Sequence, residues 1–105
     1  MDMNPFELMK NMKGLQENMQ KMQENLPNIV ATGSSGAGMV DITINGKFVV
    51  TSVKISKDIV DPEDLGTLEV LVASAFNDAS NKIQEKIKQE GMKYAGSLAS
   101  FMPQA

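Results

Sequence analysis

Leu8, Met12, Leu15, Met19, Met22 and Leu26 recur at spacings of four, three, four, three and four, which puts them along one seam of a helix expected over 4–26. Asn4, Asn11, Asn18 and Asn25 each open a seven-residue unit, and Gln16 and Gln23 stand where a coiled coil usually carries Glu and Lys. The flanks are therefore neutral, and methionine at three seam positions gives an adaptable, weakly specifying surface. Asn4-Pro5 fits an N-cap followed by proline in the first turn, and Pro27 ends the helix.

The period then changes from helical to two. Residues 28–32 form a short apolar strand candidate that a Gly33-Ser34-Ser35-Gly36 turn would end, and Val40, Ile42 and Ile44 alternate with Asp41, Thr43 and Asn45. Asn45-Gly46 signals a two-residue hairpin, because both residues tolerate positive φ. That turn would pair Ile44 with Lys47, Ile42 with Val49 and Val40 with Thr51, with Val53 and Ile55 further along the same face. The opposite face would carry Met39, Phe48 and Val50. A sheet apolar on both sides needs two covers, so a second subunit is expected on that face, with Met39, Phe48 and Val50 as its interface.

A helical period returns over 61–95. Asp61-Pro62-Glu63-Asp64 supplies a cap, a first-turn proline and acids, while Gly66-Thr67 would leave 62–65 as a separate turn and make Thr67 the cap of the long helix. Leu68, Val72, Ala75 or Phe76, Ala79, Ile83, Ile87 and Tyr94 form its stripe. Gly91 and Gly96 loosen its end, and the tail 97–105 is expected to be irregular or packed through Leu98 and Phe101. Asn77-Asp78 are poor helix formers inside this helix, either on a solvent face or making a dimer or strand-edge hydrogen bond. The elements add up to an α+β single domain over 1–105: helix 4–26, antiparallel sheet 28–56, helix 61–95, tail 97–105.

Composition narrows the chemistry. The chain has 105 residues, and neither Cys nor His occurs, which removes disulfides, thiol and imidazole catalysis, and zinc sites with those ligands. No nucleophile–base pair is evident, and Gly33-Ser34-Ser35-Gly36-Ala37-Gly38 lacks the Lys and helix start of a phosphate loop, so neither an enzyme, a cofactor nor a metal is expected. Glu63-Asp64 beside Asp61 are explained by the helix dipole. No apolar run reaches a membrane span and the start lacks a signal-like stretch, so the expected location is the cytoplasm.

Net charge is −3, so any polyanion site must come from local clustering. Residues 58–78 hold six acids and no lysine, whereas 79–105 carry four lysines against two glutamates. Lys82, Lys86 and Lys93 fall within about 40° of one another around a helix, beside the apolar stripe. Lys10, Lys13 and Lys21 interleave with Glu7, Glu17 and Glu24, with which i,i+3 or i,i+4 pairs are available. All ten basic residues are lysines, point charges that meet phosphates without the fork that reads guanine.

Gly36-Ala37-Gly38-Met39-Val40-Asp41-Ile42-Thr43-Ile44-Asn45-Gly46-Lys47 resembles the first signature of the YbaB/EbfC family of bacterial nucleoid-associated proteins. Val53-Lys54-Ile55-Ser56, then Leu68, Leu71-Val72, Ala75-Phe76-Asn77-Asp78-Ala79 and Lys82, resembles its second, and the Met-rich heptad is similar too. The resemblance spans residues 1 to about 95. It implies an α–β–β–β–α protomer with strands near 28–33, 38–45 and 47–56, and a tweezer-like homodimer whose first and last helices hold duplex DNA in the nucleoid. The expected function is then architectural DNA binding through phosphates by Lys82, Lys86, Lys93, Lys10, Lys13 and Lys21, with roles in nucleoid organisation, DNA conformation and gene expression. From another class, a protein-interaction or chaperone-like module would use the Met-rich helical groove for a protein partner.

Overall fold

The computed structural model describes residues 4–99, with side-chain surroundings described up to Lys93. The order is α1 (Pro5–Asn25), β1 (Val30–Ser35), β2 (Val40–Asn45), β3 (Val50–Ile55) and α2 (Leu65–Ala99), with short 3-10 turns at Leu26–Asn28 and Lys57–Ile59. This is the expected α–β–β–β–α arrangement. Among the described residues no helix is long and apolar enough to cross a membrane.

Two compact units are present: α1 with residues 88–99, and Leu26–Ile87. In the first, the Asn4 carboxamide oxygen accepts from the Glu7 amide at 2.7 Å, and Pro5 opens the helix as expected. The Leu/Met seam is not the buried side of α1. Asn11, Gly14, Asn18 and Met22 are half-buried, whereas Leu8, Met12, Leu15 and Met19 are 37–57% exposed. A Cβ built on Gly91 of α2 would lie 3.5 Å from Met22 Cε, whereas one on Gly14 would meet nothing within 4 Å, so within α1 the seam is half-buried at Met22 alone. α2 runs through Gly91 and Gly96 to Ala99 rather than ending near 95. The side chains of Tyr94 and Leu98, and Phe101, lie outside the described residues.

The second unit is a three-stranded antiparallel sheet, β1-β2-β3, under the first half of α2. Its core joins Ile29 and Ala31 to Val40, Ile42 and Ile44 of β2 and to Ala75, Ala79 and Ile83 of α2. Strand β1 continues through Gly33 instead of turning there. A Cβ on Gly33 would lie 2.1 Å from Ala79 N and 2.3 Å from Ala75 O, so only glycine lets the helix backbone rest on the strand.

The β2–β3 hairpin also departs from the expected register. Asn45 N donates to Val49 O at 3.0 Å and Phe48 N to Asn45 O at 2.9 Å, and the positive φ falls on Phe48 (61°). This is a longer loop with a left-handed last residue. Gly46 serves a different need: its amide donates to Leu26 O and Ile29 O, and a Cβ there would meet Leu26 O at 2.5 Å. Ile44 faces Val50, Thr43 faces Ser52, and Ile42 and Val40 face Val53 and Ile55. The extra residue, Thr51, is a bulge that carries Val50 onto the same face as Val53.

The proposed second apolar face is corrected accordingly. Val50 lies on the α2 side, Phe48 in the hairpin loop and Met39 in the β1–β2 turn. The other face is polar: Thr32 and Thr43 hydroxyls meet at 2.9 Å, and Ser34 Oγ donates to Asp41 Oδ1 at 2.6 Å. Spare apolar surface remains on the α2 side, where Val50, Val53 and Ile55 stay 40–50% exposed because α2 lies over β1 and β2.

Candidate nucleic-acid interface

The lysines named from sequence divide into two sets, one on each unit's own scaffold, with Lys93 at the end of α2. Lys10, Lys13 and Lys21 are exposed on α1, within about 80° of one another around its axis. Their expected pairs with Glu7, Glu17 and Glu24 do not form; among the described residues these three ammonium groups meet no carboxylate within salt-bridge distance. Glu24 instead accepts from Gln20 Nε2 at 3.2 Å. Between Lys10 and Lys13 a shallow surface depression is lined by Phe6, Met9, Met12 and Gln16. Two lysines thus join a mostly apolar lining on the exposed part of α1.

Lys82 and Lys86 are engaged within the second unit. Lys82 Nζ meets Asp78 Oδ2 at 3.0 Å and the Thr32 carbonyl at 3.4 Å, and Lys86 Nζ donates to the Val30 carbonyl. Asp78 Oδ2 accepts from the Ser34 amide at 3.0 Å. That contact, then Lys82, holds the Asp78 carboxyl below its ordinary range. The odd Asn77-Asp78 pair thus takes its strand-edge role through Asp78. Lys93 pairs with Glu90 at 3.0 Å. The 4-residue spacing of 78, 82 and 86 was visible in the sequence; their alignment with β1 was not, because β1 had been expected to stop before Ser34.

The long helix begins where Asp64 accepts from Thr67 N at 3.3 Å and Thr67 Oγ1 at 2.7 Å, so Asp64, not Thr67, is the cap. Asp61 separately caps the preceding turn through Glu63 N at 2.9 Å. These local bonds employ two carboxylates of the acidic stretch, Asp61 and Asp64, and among the described residues no group of His, Cys, Asp or Glu is placed to hold a metal.

The model of the YbaB/EbfC DNA-binding family matches residues 1–98. A nucleoid-associated protein of Paramagnetospirillum magneticum is 45% identical over 91 residues, covering 87% of this chain and 85% of its own. The nucleoid-associated protein EbfC of Borrelia turicatae is 37% identical, with 88% and 93% covered. A nucleoid-associated protein of Dictyoglomus thermophilum is 40% identical over 100 residues, with 95% and 92% covered. In fold, the chain is similar to the crystal structure of an uncharacterized protein from Helicobacter pylori, with TM-score 0.72, 23% identity, and 88% and 97% covered. Signatures, fold and relatives agree: the chain belongs to the YbaB/EbfC DNA-binding family.

Proposed function

We propose that the protein is a nucleoid-associated architectural factor that binds duplex DNA as a homodimer, chiefly through phosphates. The observation that carries this reading is the set of three exposed α1 lysines, Lys10, Lys13 and Lys21, without carboxylate partners among the described residues, in a DNA-binding family. Lys82, Lys86 and Lys93 hold partners within their own chain and take a smaller share. The mostly apolar lining between Lys10 and Lys13 suits the deoxyribose edge of a backbone held by those two lysines. A second copy covers the exposed strip Val50, Val53 and Ile55, which replaces Met39 and Phe48 as the proposed contact.

Two copies would present six α1 lysines, for which counterion release gives a log–log salt slope of about −5. With no arginine fork, discrimination among sequences is small and comes from duplex shape. The test is fluorescence anisotropy on a short labelled duplex across a salt series. Lys10→Glu/Lys13→Glu/Lys21→Glu should lose binding while keeping its mass; undiminished affinity would overturn the assignment.

A protein-interaction role has its own supporting observation, the exposed Leu8, Met12, Leu15 and Met19 stripe. Capture of a partner helix there would be nearly indifferent to salt, so the same titration separates the two.

A further inference from the structure

Strand β1 is one edge of the sheet, and an edge strand offers its outward N–H and C=O groups to any strand that arrives. The Ile29 carbonyl accepts from Gly46, so the odd positions of this segment turn toward β2 and the even ones toward the free edge. On that edge α2 sets a side chain against three successive even positions. Lys86 meets the Val30 carbonyl, Lys82 the Thr32 carbonyl, and Asp78 the Ser34 amide.

The match has a geometric cause. Four helical residues advance about 6.0 Å and two strand residues about 6.8 Å, so residues 78, 82 and 86 keep step with 34, 32 and 30. Sign is matched at the three groups engaged: a carboxylate stands at the Ser34 amide and an ammonium at the Thr32 and Val30 carbonyls. Lys82 also neutralises Asp78, which keeps an acid tolerable at the edge.

We infer that Asp78, Lys82 and Lys86 form an edge guard that closes β1 to strand addition by a second copy of this chain. The guard leaves the β3 side as the open one, where Val50, Val53 and Ile55 are exposed. It restricts which surface two copies can share, and it stands independently of any DNA contact.

Lys82→Met/Lys86→Met keeps the aliphatic stems and removes both ammonium groups. In sedimentation velocity this variant should form concentration-dependent species heavier than wild type, while Lys82→Arg/Lys86→Arg keeps the wild-type mass. Adding Ser34→Pro removes the amide that Asp78 covers, one of three on the free edge, at a position where an edge strand tolerates proline, and should restore the wild-type mass. A folded methionine variant of unchanged mass overturns the guard, and so does heavier material that Ser34→Pro fails to suppress. Should the methionine variant not fold, wild type supplies the test: the Lys82 and Lys86 NH3+ protons should exchange with water at least several-fold more slowly than those of Lys10 and Lys13 by nitrogen-15 NMR. Equal rates overturn the proposal.

Discussion

At the residue scale, Gly33 and Asp78 show how single atoms fix the packing of α2. Any side chain at Gly33 must displace helix backbone at Ala75 and Ala79, which no rotamer change can relieve. Gly33→Ala should therefore cost about 1–3 kcal/mol as an overpacked contact, or roughly 4–8 °C of melting midpoint per kcal/mol for a domain of this size. A thermal melt showing no loss would mean that α2 does not rest on β1. Asp78 makes a pH prediction. Its carboxyl is held below the ordinary 3.8, first by the Ser34 amide and then by Lys82. A depressed folded-state pKa contributes stability above the unfolded value, lost as pH falls from there through the folded one. Asp78→Asn should lower the midpoint at pH 7 and flatten its decline below about pH 4 in melts from pH 7 to 2. An unchanged acid limb would remove the carboxylate from the account. Gly33 also shows what the sequence concealed. A glycine beside two serines carries the local mark of a turn, and only the approach of a distant helix makes it a strand residue.

At the element scale, each segment's type followed from its period, while register did not. α2 and β2 are legible because burial on one side imposes spacings of 3.6 or 2 on the apolar residues, whereas α1 carries a helical spacing on a stripe that stays mostly exposed. The β2–β3 register was lost because Gly46 has a use outside the hairpin, its amide binding the chain after α1 through Leu26 O and Ile29 O. The left-handed position moved to Phe48, and the bulge at Thr51 turned Val50 to the α2 side. A left-handed residue with a Cβ carries strain of about 1–2 kcal/mol, less for asparagine and more for a β-branched residue. Phe48→Asn should thus raise the unfolding free energy by about 0.5–1 kcal/mol, and Phe48→Val should lower it. Denaturant titration checks the pair. Equal effects would place the strain elsewhere, and a fall in mass on Phe48→Asn would restore Phe48 to the interface. The α1 seam misled for a related reason: a heptad identifies a stripe, not its partner, and in this chain Leu8, Met12, Leu15 and Met19 face water while only Met22 of the α1 stripe is half-buried.

At the scale of the whole molecule, the two sides of the sheet are unlike, and the difference sets how a weakly acidic chain can hold a polyanion. β1 lies beneath α2 with the Val30 and Thr32 carbonyls and the Ser34 amide of its free edge occupied, whereas no described β3 residue enters the buried core. Val53 and Ile55 are about half exposed, so a polar group there desolvates nothing within the protomer. Val53→Asp should leave the protomer folded, with its circular dichroism unchanged, and should halve its mass in solution. The consequence for DNA is quantitative. One protomer offers three α1 lysines where two offer six, so the salt slope should fall from about −5 to about −3. Affinity at low salt should drop at the same time, because the second arm is no longer held near the duplex at high effective concentration. Sedimentation and a salt series on one preparation measure both. If mass halves while the slope stays near −5, each chain already carries the full phosphate site and pairing serves another purpose. If the slope falls while mass is unchanged, Val53 lies against the duplex rather than against a second copy. Only a joint fall supports a grip assembled from two copies across the uncovered side of the sheet.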